Sequence, residues 1–224
     1  MRTADCPILA ELPSAELELV LDRAVPRHLP RGELLYVSGG DHGRVHFLQR
    51  GIIKLVAVAF EGRETIVGIA LPGDLIGEVA AVDPGPQSLD AVAATDCDLL
   101  GVDARLLIEI VCRNDRAARA LARSLARQLR WATETILERS AAAASHRLAG
   151  RLMHVSARVG HTRLRLTQKD LALLAGVSRE SACRALGDLK RKGVVHYNRA
   201  GLRVLRPDLL DRLRCARRDR ESAR

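Results

Sequence analysis

Between Leu166 and Leu186 the chain reads "LTQKDLALLAGVSRESACRAL". Two helical periodicities meet in this stretch with almost nothing between them. Leu171, Leu174 and Ala175 recur at helical spacing before Gly176-Val177, and Ala182, Ala185, Leu186 and Leu189 do so after it. Thr167 with Asp170 three residues on reads as a capping box for the first helix. Gly176 supplies the tight turn, and Ser178 can cap the second helix. Small Ala172 inside the first helix and apolar residues at the crossing complete a helix-turn-helix pattern. Ordinary helical hairpins produce the same spacing, so the polar residues on the second helix have to decide between them.

The segments on either side follow other periods. Upstream, Ser14 can cap a short helix whose apolar face is Leu17, Val20 and Leu21. Gly40, Gly51, Gly62 and Gly73 then fall at an interval of eleven residues. The runs "RVHFLQR", "IIKLVAVAF" and "RETIVGIAL" between them are rich in β-branched residues, and two more strands fit "LDAVAAT" and "CDLLGV". Turns at that spacing predict short antiparallel strands in a sandwich, barrel or jelly-roll-like unit. Asp103 opens a short helix to Cys112. Asn114 or Asp115 caps a much longer one, with no Gly or Pro from Asp115 to Ala149. Along it Ala118, Leu121, Leu125, Leu129, Ala132 and Ile136 form a narrow stripe, which predicts either a self-pairing seam or packing against the β unit. A further helix covers roughly Ser145 to Val159. After the paired helices come strands "VVHY" and "LRVL", joined by a turn at Asn198 to Gly201.

Charge separates these parts. The net charge of +9 hides 20 Lys/Arg against 7 Asp/Glu from Ser145 onward, and 16 against 20 before it. A strongly basic C-terminal third on an acidic body is the footprint of a polyanion partner. Aromatic residues are only 2% of the chain, which argues against stacking platforms for single strands. No apolar run approaches the length of a membrane helix, and Met1-Arg2-Thr3 leads into no secretory segment. Five cysteines without a CxxC pair fit the reducing cytoplasm better than a disulfide framework.

The second helix of the pair carries Arg179 and Glu180 in its first turn and Arg184 one turn on. Arg can grip guanine O6 and N7 in the major groove, and Glu can accept from cytosine N4. The competing reading is an intrahelical Glu180–Arg184 pair, worth ~0.2–0.5 kcal/mol. Cys183 lies between them. It is either a small packing residue or, beside two arginines, a thiol whose oxidation would disturb DNA binding.

On these residues the chain resembles the Crp-Fnr regulators, over nearly its whole length. "LPRGELLYVSGGDHGRVHFLQRGIIKL" is similar to that family's opening β-roll segment, "LPGDLIGEVAA" to its effector-pocket loop and "VSRESACRAL" to its recognition helix. The resemblance implies an α+β chain in three parts. These are a jelly-roll-like β-roll sensory domain over 1–113, a long dimerisation helix and hinge over 114–144, and a winged helix-turn-helix over 145–224. It further implies a homodimeric regulator of transcription on double-stranded promoter DNA, working with RNA polymerase and not at a membrane. Arg179, Glu180 and Arg184 match base-reading positions; Thr167, Gln168, Lys169, Ser178 and Ser181 match phosphate-contacting ones. In the sensory domain Gly77 and Glu78 match ribose-binding positions, and Gln87-Ser88 match an Arg-Ser pair that binds the cyclic phosphate. Thr133 matches a contact to the purine. Gln87 is neutral and offers no charged fork, so the effector is expected not to be cyclic AMP. An effector-independent regulator, or a sensory module acting on a protein partner, are the alternatives.

No haem, iron-sulfur cluster or metal is expected. Only Cys6 lies near the N-terminus, the pocket loop has Gly77 and Val79 where haem ligands would sit, and His42 and His46, four apart in a strand-rich region, lie too far apart to share one metal, with nothing acidic to complete a site. All seven histidines read as structural or surface residues. No Ser/His/Asp, HExxH, Walker or GxGxxG pattern appears, so the chain is not expected to be an enzyme.

Overall fold

The computed structural model describes residues 6–40, 43–59, 62–141, 143–159, 163–198 and 200–215. His42, Phe60 and Arg199 lie outside them. By contacts the chain forms two units. One runs to Thr133 apart from Glu64–Ile66; the other comprises Glu64–Ile66 and everything from Glu134 onward.

The first unit begins with a 3₁₀ turn at Leu9–Glu11 and helix α1, Ser14–Asp22. Pro13, not Ser14, occupies the cap position of α1, and no side chain caps it. Proline presets the entry φ, so Ser14 becomes the first helical residue. Eight strands follow: β1 Val25–Leu29, β2 Leu34–Tyr36, β3 Arg44–Arg50, β4 Ile53–Val58, β5 Glu64–Ala70, β6 Leu75–Ile76, β7 Asp90–Ala93 and β8 Cys97–Asp103. Helix α2, Glu78–Val82, lies between β6 and β7. The strands form two four-stranded sheets, ordered β1-β8-β3-β6 and β2-β7-β4-β5. Gly51, Gly62 and Gly73 sit in the turns between successive strands with positive φ; near the fourth predicted turn it is Gly39, not Gly40, that takes this conformation.

Strand β3 is buried on both faces, which is why its four central residues show no polar alternation. Val45 and Phe47 pack with Leu100, Val102 and the helices α1 and α3 (Ala104–Cys112). Leu48 faces the other way, toward Leu29, Leu35, Ile53, Ala91 and Leu99 between the sheets. Asp103 caps α3 by accepting from the Leu106 amide at 2.9 Å.

Helix α4, Asp115–Ala141, follows. Asn114 caps it, its Oδ1 accepting from the Arg116 and Ala117 amides. The apolar stripe divides in two. Leu121 is buried in the core of the first unit and Ala118 and Leu125 pack against it, whereas Leu129 and Ile136 are 69% and 68% exposed. The first half of the stripe is therefore intramolecular packing, and only its second half is open.

The second unit consists of α5 Ala144–Val159, α6 Gln168–Ala175, α7 Arg179–Arg191, the hairpin β9 Val195–Asn198 and β10 Gly201–Val204, and α8 Pro207–Cys215. Its core joins Leu148, Leu152, Leu171, Leu174, Ala182, Leu186, Leu189, Leu202 and Leu210, all buried. Leu164 bridges to Leu202 through two backbone hydrogen bonds of 2.8 Å, widening the hairpin. A Cβ on Gly201 would lie 2.5 Å from the Leu164 carbonyl oxygen, so only glycine admits that approach.

Candidate nucleic-acid interface and effector site

Local chemistry fixes the α6–α7 corner. Thr167 Oγ1 accepts from the Asp170 amide at 3.1 Å while the Asp170 carboxylate accepts from the Thr167 amide at 3.0 Å, which is the predicted capping box. Gly176 turns the chain with φ 61°, ψ 42°, a left-handed conformation that favours glycine. Ser178 then caps α7 by accepting from the Ser181 amide. Leu171, Leu174 and Ala175 of α6 and Ala182, Ala185 and Leu186 of α7 are all buried.

That packing turns the other face of α7 outward. Arg179, Glu180 and Arg184 are all exposed. Among the described residues Glu180 and Arg184 form no ion pair within 4 Å, so the competing pair is not made. The Glu180 carboxyl is held below the usual carboxylate range by its own backbone amide, the Ser178 hydroxyl and the nearby Arg179 and Arg184. Lys169 is exposed in the first turn of α6, while Gln168 and Thr167 are half-buried. Thr167 Oγ1 also donates to Asp170 at 2.7 Å, so its hydroxyl serves the cap first. Cys183 is half-buried and its thiol donates to Gln168 Oε1 at 3.2 Å, tying α7 to α6.

In the first unit, the pocket-loop residues converge only in part. Gly77 precedes α2, and a Cβ there would stand 3.3 Å from Gln87 Nε2 and 3.7 Å from the Tyr36 ring. Gln87 is 5% exposed, and its Nε2 has no hydrogen-bond partner among the described residues. Glu78 is buried and accepts from Gln128 Nε2 of α4 at 2.6 Å. Burial pushes the Glu78 carboxyl up, and the Gln128 bond partly offsets this. Ser88 is exposed beside Gln87. Thr133 is exposed too, and its hydroxyl donates to Leu129 O of its own helix at 2.9 Å.

Gln128 and Trp131 were missed by sequence reasoning; the Trp131 indole N–H donates to Val67 O of β5 at 2.7 Å. Their partners lie some fifty and sixty-four residues away in the chain, beyond the reach of any local pattern. Among the described residues no group of three or more His, Cys, Asp and Glu is placed to hold a metal, and no helix is long and apolar enough to cross a membrane. His46 is buried at 7% exposure inside the roll.

A β-roll followed by a winged helix-turn-helix, with an exposed basic face on its second helix, defines a sensory-type domain and a DNA-binding one in a single chain. Comparison with known proteins agrees at both ends. Residues 26–114 match the cyclic nucleotide-binding domain and residues 146–213 the Crp-like helix-turn-helix domain. The chain is 30% identical over 202 residues to a CRP-like cAMP-activated global transcriptional regulator of Mycobacterium tuberculosis, covering 87% of this chain and 88% of that one. It is 28% identical to the cyclic AMP receptor protein of Thermus thermophilus, covering 92% and 96%. The solved structure of FixK2 from Bradyrhizobium japonicum superposes with TM-score 0.75 at 26% identity, over 85% of this chain and 96% of that one. The chain belongs to the Crp-Fnr family and is a DNA-binding transcriptional regulator.

Proposed function

We propose that the protein works in the cytoplasm as a homodimer on two-fold promoter DNA, together with RNA polymerase, under a signal other than cyclic AMP. The exposed face of α7 carries the DNA reading. Arg179, Glu180 and Arg184 stand free of ion pairs among the described residues and present a bidentate donor, an acceptor and a second donor to a major groove. Lys169, Gln168, Ser178 and Ser181 flank that face at helix starts, where phosphate is favoured, and Thr167 contributes through the α6 N-terminus. Two copies would set half-sites about one helical turn, ~34–36 Å, apart. Binding of promoter fragments tests this reading. Arg184→Ala should cost about 1–3 kcal/mol at one base position, while Lys169→Ala weakens all sequences alike. Equal operator affinity of wild type and Arg184→Ala would overturn it.

The signal is argued from Gln87. A neutral amide there forgoes a charge-assisted hydrogen bond worth about 1.5–3 kcal/mol, roughly ten- to a hundredfold in affinity for a cyclic phosphate. The bond from Gln128 to Glu78 favours a second reading, regulation without any effector, because the ribose-binding carboxylate is already engaged.

A further inference from the structure

Helix α7 has one exposed position that no contact among the described residues explains. Gly187 lies well inside the helix, three residues after Arg184. Its backbone is ordinary helix without a positive φ, so no left-handed turn requires glycine there. Packing does not require it either: a Cβ at Gly187 would meet nothing within 4 Å among the described residues. Glycine inside a helix is destabilising relative to alanine, because it gives up more backbone freedom on folding. The other exposed residues of α7, namely Arg179, Glu180, Arg184, Asp188, Lys190 and Arg191, all carry charged side chains. At about 3.6 residues per turn, Gly187 stands ~20° around the helix from Glu180 and ~60° from Arg184. It therefore shares their face and is turned away from the buried Ala182, Ala185 and Leu189.

We infer that Gly187 is a further DNA-contact position, a gap that lets the sugar–phosphate wall of the major groove close onto the backbone of α7. The inference rests on the reading of α7 as the recognition helix. The first turn of such a helix meets base edges, and the helix leaves the groove toward its C-terminus. At about 1.5 Å per residue, Gly187 lies ~10.5 Å along the axis from Glu180. The groove is roughly 12 Å wide and 8.5 Å deep, so a residue that far on has reached its rim, where sugars and phosphates stand. A side chain at that point would hold the rim away from the helix and draw Arg179, Glu180 and Arg184 back from their base edges. Glycine is the residue that admits a close backbone approach. The partner that fills the gap is duplex DNA.

Gly187→Ala and Gly187→Leu test this, since both residues favour helix over glycine and they differ in bulk. Affinity for a promoter fragment that wild type binds, base preference at each position of that site, and the thermal midpoint are measured, with Arg184→Ala alongside. Gly187→Ala should lose about threefold or more in affinity and Gly187→Leu about thirtyfold or more, with base preference kept at every position. Both should melt no lower than wild type, so that stability and binding move in opposite directions. Affinity within threefold of wild type in Gly187→Ala would overturn the inference. So would a lower thermal midpoint, which would give the glycine a role inside the fold. A preference altered at one base position would set Gly187 on a base edge and overturn the sugar–phosphate assignment. Arg184→Ala separates the two claims. If it binds as tightly as wild type, the reading of α7 has failed; if it binds less tightly while Gly187→Leu binds like wild type, the gap alone is wrong.

Discussion

His46 shows how much one residue's environment can decide. Its ring is packed between the sheets, with the Cδ2 position 3.2 Å from where a Cβ on Gly101 would be. Burial, and then the charges of Arg27 and Arg44, lower its pKa from 6.5 to about 4. The unfolded chain therefore binds a proton below pH 6.5 that the folded chain refuses until about pH 4. Stability must fall as pH drops through that window, by up to ~1.4 kcal/mol per pH unit, and is untouched above it. Urea midpoints between pH 7 and pH 5 check this, and His46→Gln should reduce the dependence while leaving the share of His154, whose pKa burial and then the charges of Arg158 and Arg151 also lower to about 4. The sequence marked His46 only as a structural or surface residue, because a histidine's burial depends on strands distant in the chain. Cys183 is a parallel case. Its position between Glu180 and Arg184 was plain in the sequence; its thiol's bond to Gln168 needed the α6–α7 crossing.

Among the elements, α6 and α7 were fully legible, since their caps and turn are local chemistry written within three or four residues of each helix end. The long helix was half legible. Its stripe was continuous in the sequence, yet Leu121 is buried within its own unit and Leu129, Ile136 and Leu137 are 69%, 68% and 63% exposed. Periodicity marks an apolar face and says nothing of which partner covers it. The exposed half is the proposed seam. Leu129→Glu with Ile136→Glu should give a monomer by light scattering at micromolar concentration, with the far-ultraviolet helix signal retained. A dimer in that variant would place the seam elsewhere. The same helix supplies Gln128 and Trp131, whose bonds to Glu78 and Val67 no local pattern announces.

Over the whole molecule, the two family matches and the charge division fall together: an acidic sensory part and a basic reading part, joined by one helix. Coupling between the parts is tested by calorimetry with cyclic AMP, read together with operator affinity. Wild type should show no micromolar binding and no tightening on DNA; Gln87→Arg should gain nucleotide affinity roughly ten- to a hundredfold if the pocket still accommodates a nucleotide. Micromolar cyclic AMP affinity in wild type, coupled to tighter DNA binding, would overturn the proposed signal. The helix-turn-helix, its caps, most strands, the long helix and the charge that suits DNA were legible in the residues alone, because each depends on neighbours within a few residues or on composition. Tertiary structure alone decided which half of α4 is covered, that Gln128 holds Glu78, and that Gln87 is buried. Those facts depend on burial and on contacts between residues far apart in the chain, which no local period encodes.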